Sequence, residues 1–149
     1  MHKAQIPNPA LRELSQLVGE WKTVGTHPSL PNKTLTGKSS FSWIEGGAFL
    51  RWYSEMDEDG FPAGIAIFGS DDATGAQFML YFDERKISRK YEVAIDNNVV
   101  RWWRNTPDFS QRYSLTITDN GKTIISKGEL CDDGTTWKSD LNQTFTRIE

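Results

Sequence analysis

The stretch Leu14–Gly47, LSQLVGEWKTVGTHPSLPNKTLTGKSSFSWIEGG, decides the fold. Its first residues, read with Leu11 upstream, put Leu11, Leu14, Leu17 and Val18 on one face at helical spacing. Asn8 is suited to cap a helix whose first residue is Pro9, and Gly19 supplies the positive-φ residue that ends it. A helix over Pro9–Val18 is too short to stand alone in water, so it is expected to lie on an apolar surface and seal a sheet. After Gly19 the period falls to 2: Leu35, Gly37, Ser39, Phe41 and Trp43 alternate with polar residues up to the Glu45-Gly46-Gly47 turn.

The rest of the chain repeats that pattern. Further strands are expected at Ala48–Asp57, Ala63–Ser70, Gln77–Asp83, Ser88–Asp96, Val99–Asn105, Phe109–Thr118, Thr123–Cys131 and Thr136–Ile148, after Glu20–Thr26 and Leu35–Ile44. Between them stand Asp57-Glu58-Asp59-Gly60, Asp71–Gly75, Asp96-Asn97-Asn98, Asp119-Asn120-Gly121 and Asp132-Asp133-Gly134, residue types that tolerate the positive φ of hairpin turns. About ten short strands joined by short turns predict an all-β fold. The expected architecture is an antiparallel up-and-down β-barrel of about ten strands, calycin- or lipocalin-like, with a short N-terminal helix. Residues 1–149 form one domain, since a chain of this length supports one sizeable core.

Charge argues against two classes of partner. Charged residues make up 25% of the chain, the net charge is −3 and the signs are interspersed, so neither a nucleic-acid nor an anionic-membrane footprint is present. No run approaches the ~18 apolar residues of a membrane span. With one cysteine, Cys131, and no signal-like start, a cytoplasmic location is expected, and the Asn-x-Thr matches at Asn32 and Asn142 are taken as chance.

Eighteen aromatics, six Trp, four Tyr and eight Phe, have to be placed. Alternation predicts inward sets at Phe78, Leu80 and Phe82; at Arg89, Tyr91, Val93 and Ile95; at Gln111, Tyr113, Leu115 and Ile117; and at Trp137, Ser139, Leu141, Gln143 and Phe145. Two strands are ambiguous. On Ala48–Asp57 one face carries Phe49, Arg51 and Tyr53 and the other Leu50, Trp52 and Met56; on Val99–Asn105, Trp102 and Arg104 oppose Arg101 and Trp103. Aromatics alone would simply fill a core. Polar groups among them point instead to a cavity for a small apolar or amphipathic molecule, with Trp43, Tyr53, Tyr81, Tyr91, Trp103 and Tyr113 as walls and Arg51, Arg104, Gln111 and Gln143 as orienting groups. A buried arginine needs a partner, and a carboxylate on the ligand is one candidate.

Gly19-x-Trp21 at the start of the first strand, with Arg147 near the end of the last, resembles the lipocalin and fatty-acid-binding-protein superfamily. That resemblance implies a Trp packed at the closed end of the barrel with an Arg over it, both structural. Leu17–Trp21, Trp43–Leu50, Asp83-Glu84-Arg85 with Ser88–Glu92, and Phe109–Tyr113 more closely resemble the lipocalin-like DUF1579 proteins related to nitrobindin, in the calycin superfamily. This implies a single barrel with a short N-terminal helix and carries no activity of its own.

Nitrobindins bind haem through a histidine late in the chain, whereas here only His2 and His27 exist, so no resident cofactor is expected. A Ser–His nucleophile could use only His27, there is no Gly-x-Ser-x-Gly, and the acidic clusters lie in turns without calcium-loop spacing, so no catalytic or metal residue is assigned. The competing readings are a haem-dependent or isomerase-type enzyme and a filled barrel that associates, as a homodimer or with another protein, through an aromatic strand face.

Overall fold

The computed structural model describes residues 6–149; His2 lies outside them. The strands are β1 (Gly19–His27), β2 (Leu30–Ile44), β3 (Phe49–Met56), β4 (Gly64–Ser70), β5 (Gln77–Asp83), β6 (Ser88–Asp96), β7 (Val99–Arg104), β8 (Ser110–Thr118), β9 (Thr123–Cys131), β10 (Lys138–Ser139) and β11 (Asn142–Arg147). β1 to β8 run as an antiparallel meander, β11 pairs with β1 and with β9, and β9 pairs with β8. Ten strands thereby close into a barrel without free edges, which leaves β10 as a two-residue addition on β9. Among the described residues no helix is long and apolar enough to cross a membrane.

The N-terminal helix is a 3₁₀ helix over Pro9–Leu17, not an α-helix. Its leucines explain the choice. Leu11, Leu14 and Leu17 are spaced by three, and in a 3₁₀ helix residues i and i+3 eclipse, so all three land on one line and are fully buried. Asn8 caps it as expected, its side chain accepting the Ala10 N–H. The helix lies across the end of the barrel where β1 begins. It is tied there by Asn8 Nδ2 to Ser70 Oγ (2.9 Å) and by Gln77 Nε2 to the Ala10 carbonyl (2.6 Å).

The same end holds the Trp21–Arg147 pair. Trp21 is fully buried and donates its Nε1–H to the Leu17 carbonyl at 2.8 Å. The Arg147 guanidinium lies 4.2 Å above its ring and donates to the Val18, Gln16 and Gly121 carbonyls, three acceptors that the helix end and a turn leave unpaired. Gly19 is required beside it: φ is +132°, and a Cβ would sit 2.5 Å from Arg147 Nη1.

Strand alternation places Leu35, Gly37, Ser39, Phe41 and Trp43 inward, and likewise Arg89, Tyr91, Val93 and Ile95, and Gln111, Tyr113, Leu115 and Ile117, with those fully buried forming much of the core. Two expected sets differ. On β5 the register pairs Met79 with Phe68 and Tyr81 with Ala66, so Met79 and Tyr81 face the interior and Phe78, Leu80 and Phe82 face out. Both faces of β5 are apolar, and only cross-strand register chooses between them.

The expected strand Thr136–Ile148 is interrupted. Asp133 accepts the Thr135 and Thr136 N–H groups in a tight turn, Lys138–Ser139 pair back onto β9, and the chain turns again at Asp140–Leu141 before β11. Trp137 consequently lies outside, stacked at 3.8 Å under the Arg112 guanidinium. The acidic clusters behave as turn formers, Asp71 accepting the Ala73 and Thr74 N–H groups.

Candidate functional site

The interior is half filled. Phe41 stacks on Trp52 (5.1 Å between centroids), Trp52 meets Trp102 edge-on (5.5 Å) and Phe145 at a tilt (6.3 Å), and these rings close off the helix-capped half. Above them a cavity of ≈ 770 Å³ opens toward the end where β1 finishes and β6 and β8 begin. That size falls in the usual ~300–1,000 Å³ range of small-molecule sites. An aromatic wall continues from the floor to the mouth: Trp102 stacks on Tyr113 (5.5 Å), and Tyr113, Tyr91 and Tyr81 follow in edge-to-face contacts.

A connected polar chain runs along this wall. Gln111, from the start of β8, accepts at Oε1 from the Tyr91 hydroxyl (2.8 Å) and from Arg89 Nη1 (3.1 Å). Its Nε2 donates to the Tyr113 hydroxyl at 2.6 Å, and Tyr113 donates in turn to Asp140 Oδ2 at 2.7 Å. Asp140 Oδ1 lies 3.0 Å from His27 Nε2, and the His27 ring stands edge-on to Phe61 (5.4 Å). A register shift in the β1–β2 pairing between Gly25 and His27 sets His27 at the rim. Gly128 makes room for the network: a Cβ there would come within 2.6 Å of the Tyr113 ring.

Burial pushes the hydroxyls of Tyr81, Tyr91 and Tyr113 to higher pKa, reinforced at Tyr81 by Asp83 and at Tyr113 by Asp140. They remain protonated donors at neutral pH. The Arg85 guanidinium, hydrogen-bonded to Asp83, draws that carboxyl down to about 2.

Two cavity groups lack partners of their own kind. Arg89 lines the cavity, and among the described residues no carboxylate pairs with it or with Arg104, whose guanidinium stands 5.9 Å over the Tyr91 ring. Thr23, on the inward row of β1, is 1% exposed, and its Oγ1 has no hydrogen-bond partner. An unpaired buried hydroxyl costs about 1–3 kcal/mol.

Of the residues expected at the site, the structure brings together Tyr81, Tyr91, Gln111, Tyr113 and Gln143 on the cavity wall, with Arg104 beside Tyr91. It corrects four others. Arg51 and Tyr53 point outward, because the β3 register pairs Leu50 with Phe68 and Trp52 with Ala66 on the inner face; Arg51 donates to Ser42 Oγ, and Tyr53 is 41% exposed. Trp103 faces out as well, opposite its inward neighbour Trp102. Trp43 is inward but packs into the core away from the cavity. Trp52, Met79, Trp102 and Arg89 line the cavity in the positions that would otherwise fall to these residues. The inward parity of Arg89 was readable from β6, but nothing local marked Asp140, which follows an interruption that the sequence pattern conceals.

Ser29 Oγ lies 2.7 Å from His27 Nδ1, giving a Ser–His–Asp sequence of contacts. Nδ1 also accepts the Ser29 backbone N–H at 3.1 Å, which occupies the lone pair a general base would need. The geometry therefore clamps His27 between Ser29 and Asp140 rather than activating the hydroxyl.

No protein-family model matches the chain, and no curated protein sequence matches it. Among solved structures it is similar to Rv2717c from M. tuberculosis, with a TM-score of 0.62 and 14% identity over 95% of this chain and 98% of that one. That likeness shows a shared barrel fold. A protein of unknown function from the DUF3598 family of Nostoc punctiforme aligns over 99% of this chain and 100% of that one at 7% identity, with a TM-score of 0.28, too loose to bear on the fold.

Proposed function

We propose that this protein is a cytoplasmic, calycin-like barrel, related to the lipocalin-like DUF1579 and nitrobindin group, that binds one small amphipathic molecule in the open half of its interior. The observation that carries this reading is the cavity itself: closed below by stacked rings, open above, and lined by aromatics whose hydroxyls are already organised around Gln111. A filled core would not leave Thr23 Oγ1 without a hydrogen-bond partner and Arg89 without a carboxylate. The haem-dependent alternative has less support. Both ring nitrogens of His27 are held, by Ser29 and by Asp140, so axial ligation would require breaking one of these contacts.

Native mass spectrometry of the protein purified from its own host, followed by tryptophan fluorescence titration with whatever co-purifies, tests the proposal. A stoichiometric small molecule that alters tryptophan emission, with the response reduced in Trp52→Phe and Trp102→Phe variants, is expected. A clean protein mass, with no response to aromatic acids, fatty acids or hemin, would overturn it.

A further inference from the structure

The ligand-binding reading leaves the class of ligand open, and two features of the cavity narrow it. Arg89 brings a positive charge to the mouth with no carboxylate in contact with it, Asp140 being held by Tyr113 and His27, and Arg104 adds a second cation 5.9 Å over the Tyr91 ring. Deeper in, the lining includes Thr23, whose buried hydroxyl has no partner. On β1, Thr23 lies four residues from His27 at the rim. At about 3.3 Å per residue, and with the usual strand tilt of about 40°, the two levels are roughly 10 Å apart along the barrel axis. Between these levels the walls are rings: Trp52, Trp102, Tyr113 and Tyr91.

From this arrangement we infer that the ligand is an elongated aromatic anion with a second hydrogen-bonding group at the end opposite its charge, of the class of hydroxylated aryl carboxylates. The inference rests on the binding function proposed above. The anionic group takes the free guanidinium edge of Arg89 beside Gln111, the ring lies against the aromatic wall, and the distal hydroxyl or carbonyl reaches Thr23 Oγ1. Other classes fit less well. A fatty acid satisfies Arg89 but lays methylene groups on Thr23, leaving its hydroxyl unpaired. A neutral ring leaves the arginine charge without a carboxylate partner.

Calorimetric titration of the intact protein with four probes tests the inference: 4-hydroxycinnamate, cinnamate, 4-hydroxycinnamyl alcohol and decanoate. 4-Hydroxycinnamate is expected to bind about tenfold more tightly than cinnamate, which lacks the distal hydroxyl, and about tenfold more tightly than the alcohol, which lacks the charge. Thr23→Val should erase the first difference and keep the second, whereas Arg89→Gln should do the reverse. If either variant fails to fold, the probe comparison on the unaltered protein decides. Decanoate binding as tightly as 4-hydroxycinnamate, or differences that persist in both variants, would overturn the ligand class while leaving cavity binding intact. Failure of all four probes, with a co-purified molecule of another class still bound, would do the same. Failure of every probe and no co-purified ligand would overturn both.

Discussion

Gln111 is the residue on which the interior chemistry converges. One amide accepts from Tyr91 and Arg89 and donates to Tyr113, and only a carboxamide offers acceptor and donor on one planar group of that size. Gln111→Leu keeps the volume, leaves the buried Tyr91 hydroxyl without its acceptor and takes one partner each from Arg89 and Tyr113. The urea midpoint should fall by an amount equivalent to about 1–3 kcal/mol, and cavity binding should be lost. Arg51 provides the contrast. Its side chain lies on the outer face with Ser42 as its hydrogen-bond partner, so Arg51→Ala should change stability by less than about 0.5 kcal/mol and leave ligand titrations unaltered. Loss of binding in Arg51→Ala would contradict the β3 register.

At the scale of elements, the 3₁₀ helix acts as the plug of the barrel. Its three leucines are fully buried while the rest of the segment is largely exposed, so its attachment rests on them and on the contacts with Trp21, Ser70, Gln77 and Arg147. Leu14→Ala, at the middle of the line, should cost about 2–5 kcal/mol in chemical denaturation. If the plug is structural and the cavity lies above it, ligand affinity measured well below the unfolding transition should change little. A large affinity loss with preserved stability would place the helix in the site instead. The interruption before β11 belongs to this scale too. It removes Trp137 from the interior and delivers Asp140 to Tyr113 and His27, a placement that follows from pairing with β9 and not from local propensity.

For the molecule as a whole, the shifted groups set the pH limits of stability. Asp83 is lowered from 3.8 to about 2 by Arg85, and Asp71 and Asp133 are lowered by the backbone N–H groups of their turns. A carboxyl with a depressed folded-state pKa contributes stability above its unfolded value, and that contribution disappears as pH falls through the folded value. Urea midpoints should therefore decline below about pH 4 and keep declining toward pH 2. The interior tyrosines act at the other end. Tyr81, Tyr91 and Tyr113 are raised above 10.0 mainly by burial, so their contribution is complete below pH 10 and is lost as pH rises past it. Ultraviolet difference spectra should show these three phenolates appearing only with unfolding. Their full ionisation in the folded protein would refute the buried network.

Local pattern was enough for the barrel, its capped N-terminal plug, the positions of most turns, and the inward parity of β2, β6 and β8, because each rests on short-range periodicity or on turn residues with a required φ. The Trp21–Arg147 pair was legible from the family resemblance. Tertiary structure alone decided the faces of β3, β5 and β7. In each of these strands both faces carry aromatic or aliphatic residues, and alternation assigns a face only when the two differ in polarity. The same limit explains the site. Tyr91, Gln111 and Tyr113 could be found on single strands, with Arg89 on the same inward row as Tyr91, but His27 and Asp140 come together only through closure of β11 onto β1, a contact between residues more than a hundred positions apart that no local pattern encodes.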